Sequence, residues 1–143
     1  MSDEEQAGLG AELAAGAAPL TLVFAIGSRL FGLPLGSIRE VIRVPRITPI
    51  PRGPANVLGV SLAGGAVITM FDLAVSLGFS PSAQSEHSRV LLVRQPGEVV
   101  GLVVDRVLGV HEPATAHETV DEAAGRPADA PFLLDPVRLF SPA

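Results

Sequence analysis

Apolar residues in this chain fall into short alternating runs punctuated by glycine and proline, a pattern that predicts strands rather than helices. In "TLVFAIGSRLFGLPL" (21–35), alternation places Leu22, Phe24 and Ile26 on one face and Phe31, Leu33 and Leu35 on one face of a returning strand. Gly27-Ser28 is the turn between them. "IREVIRV" (38–44) continues as an extended segment, and "PRITPIPRGP" (45–54), with four prolines in ten residues, forces an irregular connection. A second hairpin follows: a strand over Leu58 to Leu62, a turn near Gly64-Gly65, and a strand from Ala66 to Phe71. Asp72 then caps a short helix, "LAVSL", that stops at Gly78, and residues 79–88 form a polar loop.

The pattern recurs. "RVLLVRQPGEVVGLVVDRVLGVHEP" reads as strand, Pro-Gly turn, strand and extension. Setting Gly32 over Gly101, an offset of 69, carries Leu33, Leu35, Ile38 and Val41 onto Leu102, Val104, Val107 and Val110. The closing "FLLDPVRLF" echoes "MFDLAVSLG". Each half therefore predicts a small barrel of short strands ending in a helix. Neither half, at roughly 60 residues, would hold much core alone, so two barrels packed as one unit are expected. The repeat is uneven, with 27 positions from Pro45 to Asp72 but 22 from Pro113 to Asp135. "ATAHETVDEAAGRPADA" (114–130) has no run able to make a hairpin, and reads as a polar loop with a helical turn at Glu118 to Ala124. The second barrel is expected to lack one or two strands.

Composition narrows the function classes. A chain of 143 residues, 48% hydrophobic with a mean hydropathy of +0.43, suits one globular domain or two small packed subdomains. Its apolar runs are far shorter than the ~20 residues needed to cross a bilayer, so no membrane insertion is expected. The opening "MSDEEQAGLG" is acidic where an export leader would be basic, and cysteine is absent, so a cytoplasmic address is expected and thiolate chemistry is excluded. Residues 1–18 read as a flexible tail. All ten basic residues are arginine, the net charge is −5 and the aromatics are six phenylalanines, which argues against nucleic-acid binding.

Reactive constellations are missing too. His111 and His117, in "HEPATAHE", are six apart and fit no metal-ligand spacing, and His87 stands alone, so no metal or cofactor is expected. Gly64-Gly65 lacks the Lys-Ser of a phosphate loop, and Ser61 lacks a nucleophile-elbow context. Asp72, Asp105 and Asp135 each end a strand before a helix-like segment, and helix capping accounts for them better than catalysis. The chain does not read as an enzyme. One surface feature survives: Arg39, Arg43, Arg46 and Arg52 stand against a single acid, Glu40, a local charge of +3. This is either a solvated strand face or a basic rim for an acidic partner, with Ile47 and Ile50 as its apolar centre if they are exposed.

Taken together, "TLVFAIGSRLFGLPL", "IREVIRV", Gly59-Val60 leading to Asp72-Leu73, and "VVGLVVDRVLGV" resemble the CheW-like adaptors of bacterial chemosensory arrays. The resemblance is good over about residues 20–112 and weak over 131–140. It implies a mainly β fold of two intertwined SH3-like barrels with short helices, covering 19–143. One subdomain would comprise about 36–88 and the other 19–35 with 89–143, strands being exchanged between them. It implies a non-catalytic adaptor, recruited to receptor arrays, between the cytoplasmic tip of methyl-accepting chemoreceptors and the regulatory domain of a CheA-type histidine kinase. Carried across, the receptor-binding positions are Ile38, Glu40, Gly59, Val107 and Val110, lining a groove suited to an amphipathic helix. The kinase-interface candidates are Arg43, Arg46, Ile47, Ile50, Arg52 and Gly64. Family members read Gly-Val-x-Asn-Leu-Arg-Gly where this chain has Gly59, Val60, Ser61, Leu62, Ala63, Gly64 and Gly65. Loss of that asparagine and arginine implies kinase docking that is weakened or absent. A stand-alone double-barrel module, using the Arg39–Arg52 surface for an unrelated acidic partner, is the alternative.

Overall fold

The structure, a computed structural model, describes residues 20–112 and 132–135. The expected tail (1–18), the polar loop at 114–130 and the helix after Asp135 lie outside the described residues.

The first hairpin forms where alternation places it. Strands β1 (Thr21–Ile26) and β2 (Arg29–Pro34) pair antiparallel with Phe24 opposite Phe31, and Gly27 takes φ +60° in the turn. β2 stops at Pro34. Leu35, expected to extend the strand, instead starts a single 3-10 turn (Leu35–Ser37) that leads into β3 (Ile38–Arg43). The second hairpin pairs β4 (Val57–Ala63) with β5 (Ala66–Asp72), and α1 (Leu73–Ser76) follows. Then come β6 (Arg89–Gln95), β7 (Glu98–Val104), β8 (Arg106–His111) and the short β9 (Phe132–Leu133). The order is β8-β1-β2-β9 in a four-stranded sheet and β3-β6-β7-β5-β4 in a five-stranded one. The chain crosses between the sheets at two corners, residues 35–37 and Asp105.

Two apolar clusters result. The first gathers Leu22, Phe24, Ile26, Phe31 and Leu33 from β1 and β2, with Leu73 of α1 and Leu91, Val93, Val100, Leu102 and Val104 from β6 and β7. The second holds Ile68 and Met70 of β5 against Val90, Leu92 and Val103 of the same β6 and β7. Strands β6 and β7 are thus buried on both faces, which is why "RVLLV" is a continuous apolar run and not an alternating one. The five-stranded sheet also curls. β3 lies three to four strand spacings from the β4–β5 hairpin, roughly 14–19 Å if flat. Yet the Arg39 guanidinium comes within 3.5 Å of where a Cβ on Gly64, in that hairpin's turn, would stand.

Asp72 is the helix cap the sequence predicts, with Oδ1 accepting the Ala74 N–H at 3.1 Å. It also pins the following loop: Ser82 donates its N–H to Oδ2 and its hydroxyl to Oδ1. Phe79 fastens the same loop, its ring tilted on Phe31 at 6.3 Å with Arg29 over it at 5.2 Å. Asp105 departs from the expectation of a helix cap. No helix follows it; β8 does, because "RVLGVH" pairs with β1. Asp105 instead accepts the N–H of Gly27 on Oδ2 at 2.6 Å, 78 residues away in sequence.

Candidate functional site

Strands β3 and β8 are edges, one in each sheet, and each carries a one-residue bulge. On β3, Ile38 opposes Val93 and Glu40 opposes Leu92, leaving Arg39 extra. On β8, Val107 opposes Phe24 and Gly109 opposes Val23, leaving Leu108 extra. A bulge shifts the alternation by one, so residues three apart come to share a face. Ile38 and Val41 therefore side with Val93 and Leu91, and Val107 and Val110 side with Phe24 and Leu22, all four partners belonging to the first cluster. The two bulges are 69 residues apart, the offset of the sequence repeat.

Each edge strand thus presents an inner and an outer apolar residue to the rim of one cluster. The inner ones are Ile38, 9% exposed, and half-buried Val107; the outer ones are Val41 at 38% and Val110 at 47%. Val41 was absent from the positions carried over by resemblance, although its alignment with Val110 in the repeat is the signal that finds it. Glu40 is exposed but opposes Leu92 of the second cluster, so it lies on the other face of β3. Gly59 is buried beneath the proline-rich connection. Its φ of +147° favours glycine, and a Cβ there would run into the Thr48 carbonyl and the Pro49 Cα. Its role in this geometry is to let the connection lie on β4, where Thr48 and Val60 exchange two backbone hydrogen bonds of 2.8 and 2.9 Å.

That connection forms a second surface. Buried Ser61 donates its hydroxyl to the Arg46 carbonyl, tying β4 to this connection. Arg39, Arg43, Arg46 and Arg52 are exposed, and among the described residues their side chains make no hydrogen bond or ion pair. Ile47 is half-buried on the second cluster; Ile50 is exposed. Gly64 is exposed in the β4–β5 turn at φ +61°. Beside it stand two residues that strand-face bookkeeping would have found: Leu62 and Val67, a cross-strand pair 71% and 70% exposed. Both occupy outward positions that alternation assigns to polar side chains. Among the described residues, no group of three or more His, Asp or Glu is placed to hold a metal ion, and no helix is long and apolar enough to cross a membrane.

Comparison with known proteins agrees with this architecture. The profile of the CheW-like domain matches residues 20–127. Protein PilI of Pseudomonas aeruginosa is 36% identical over 87 residues, 61% of this chain and 49% of that protein. The probable chemotaxis protein CheW of Rhizobium etli is 35% identical over 86 residues, 60% of this chain and 56% of that protein. The chain spans about half the length of these curated relatives. The crystal structure of the scaffolding protein TtCheW from Thermoanaerobacter tengcongensis superposes with a TM-score of 0.62 at 31% identity, covering 66% of this chain and 64% of that one. With a mainly β fold of two sheets and a family match over most of its length, the chain belongs to the CheW-like domain family.

Proposed function

We propose that this chain is a non-catalytic, cytoplasmic adaptor of a chemosensory signalling array that seats the helical cytoplasmic tip of a chemoreceptor against the rims of β3 and β8. The matched bulges carry the reading. Two β-branched pairs, Ile38/Val41 and Val107/Val110, are turned by the same backbone device toward one apolar cluster, with the outer member of each open to solvent. An amphipathic helix buries its apolar face against such a strip, and β-branched residues hold it at little cost in side-chain entropy. Kinase docking belongs on the second surface, around Arg43, Arg46, Ile50, Arg52 and Gly64, and is weak because Gly64 offers no side chain.

A second reading rests on the exposed Arg39, Arg43, Arg46 and Arg52, whose side chains have no partner among the described residues, and on exposed Leu62 and Val67: an acidic partner docking on this surface independently of any receptor. Amide signals followed during titration with a purified chemoreceptor tip fragment decide between the two. The adaptor reading expects perturbation at Ile38, Val41, Val107 and Val110, unaffected by salt. Perturbation confined to residues 39–67 and abolished at high ionic strength favours the acidic partner.

A further inference from the structure

We propose that Arg94 and Asp105 are positioning residues for the binding face, each latching the corner from which one bulged edge strand departs. The inference rests on the adaptor reading above. At the first corner, Arg94 Nη1 donates to the Gly36 carbonyl at 3.2 Å and to the Ile38 carbonyl at 3.4 Å, spanning the point where the chain leaves the 3-10 turn and enters β3. At the second corner, Asp105 takes the Gly27 N–H on Oδ2 at 2.6 Å and gives its own N–H to the Ala25 carbonyl at 3.1 Å, just before β8 begins.

The two latches are equivalent in place and opposite in chemistry. Gly36 and Asp105 are 69 residues apart, the repeat offset. Each corner is held by the hairpin of the other half: β6–β7 supplies Arg94, and the β1–β2 turn supplies Gly27. One corner offers carbonyls to a cation, while the other brings its own carboxylate. The Oδ1 of Asp105 is shielded from solvent and has no hydrogen-bond partner among the described residues, a cost borne while Oδ2 holds the turn. Neither side chain belongs to the apolar strips, so both act through the backbone that aims Ile38 and Val107.

The test measures affinity for a purified chemoreceptor tip fragment, together with unfolding midpoint and amide exchange, in Arg94→Met, Arg94→Lys, Asp105→Ala and the control Ile68→Val. Ile68 lies in the second cluster and faces neither corner. Arg94→Met should weaken binding about five- to tenfold and speed exchange at residues 38–41 but not 106–110; Asp105→Ala should do the reverse locally with a similar loss. Arg94→Lys should recover part of the loss, and Ile68→Val should lower the midpoint while keeping full affinity. Wild-type affinity in both latch variants, or an equal loss in Ile68→Val, overturns the proposal. A wild-type chain that does not bind the fragment overturns the adaptor reading itself, and that is a distinct result.

Discussion

Strands β3 and β8 hold equivalent places in a repeated plan, yet they meet solvent differently. Their cluster-facing residues are alike, Ile38 with Val41 and Val107 with Val110. Their bulge residues are not: Arg39 is charged and reaches toward the β4–β5 turn, whereas Leu108 is an exposed apolar side chain beside Gly109 at φ +140°. The shared cluster constrains the inside of both strands, because either side chain must fill the same apolar rim. No such rim has to be filled by the extra residue of each bulge, and there the two halves differ. A charged rim on one strand and an apolar one on the other give a symmetric scaffold an asymmetric face.

That comparison can be broken or sharpened. The largest effect should come from Phe24→Ala, which removes a fully buried ring opposite Val107 and costs about 3–5 kcal/mol by chemical denaturation. Its tip affinity should fall as well, since the floor directly beneath β8 is lost from the cluster that both strands rim. Next are the two strand glycines of similar φ. Gly59→Ala meets Thr48 and Pro49 and should cost about 3 kcal/mol or more. Gly109→Ala meets only the His111 ring, at an ordinary 3.9 Å, and should cost about 1–2 kcal/mol, so the difference isolates crowding from backbone strain. Val41→Arg and Val110→Arg should each leave stability within about 0.5 kcal/mol and lower tip affinity more than tenfold; an effect at Val110 alone would show that only β8 contacts the partner. The smallest effect belongs to Leu62→Asn, which lies on neither strip: stability should change by less than about 0.5 kcal/mol, with tip affinity unchanged.

Much of this fold was legible because each hairpin is a pair of short apolar runs around a glycine-containing turn. The 69-residue offset was legible too, and it anticipated the equivalence of Ile38 with Val107 and of Val41 with Val110. The bulges behind that equivalence were not. Apolar residues three apart, as in "IREV", carry no mark of whether one extra residue is tucked into a strand. Asp105 was misread because an aspartate after a strand accepts from whichever N–H arrives, and Gly27 arrives from 78 residues away in sequence, at the end of the strand that β8 pairs with. Leu62 and Val67 escaped because an apolar residue in a strand is ordinarily assigned to the core, and only a face-by-face count places both outside.

Strands β6 and β7 wall both clusters at once, and this binds the fate of one half to the other. Neither half can melt while its neighbour stays intact, since the loss of either cluster strips one side of the same hairpin. Heating should therefore give a single cooperative transition. A chain nicked in the 79–88 loop would leave its amino-terminal fragment without that wall, unable to fold until the carboxy-terminal piece supplied it.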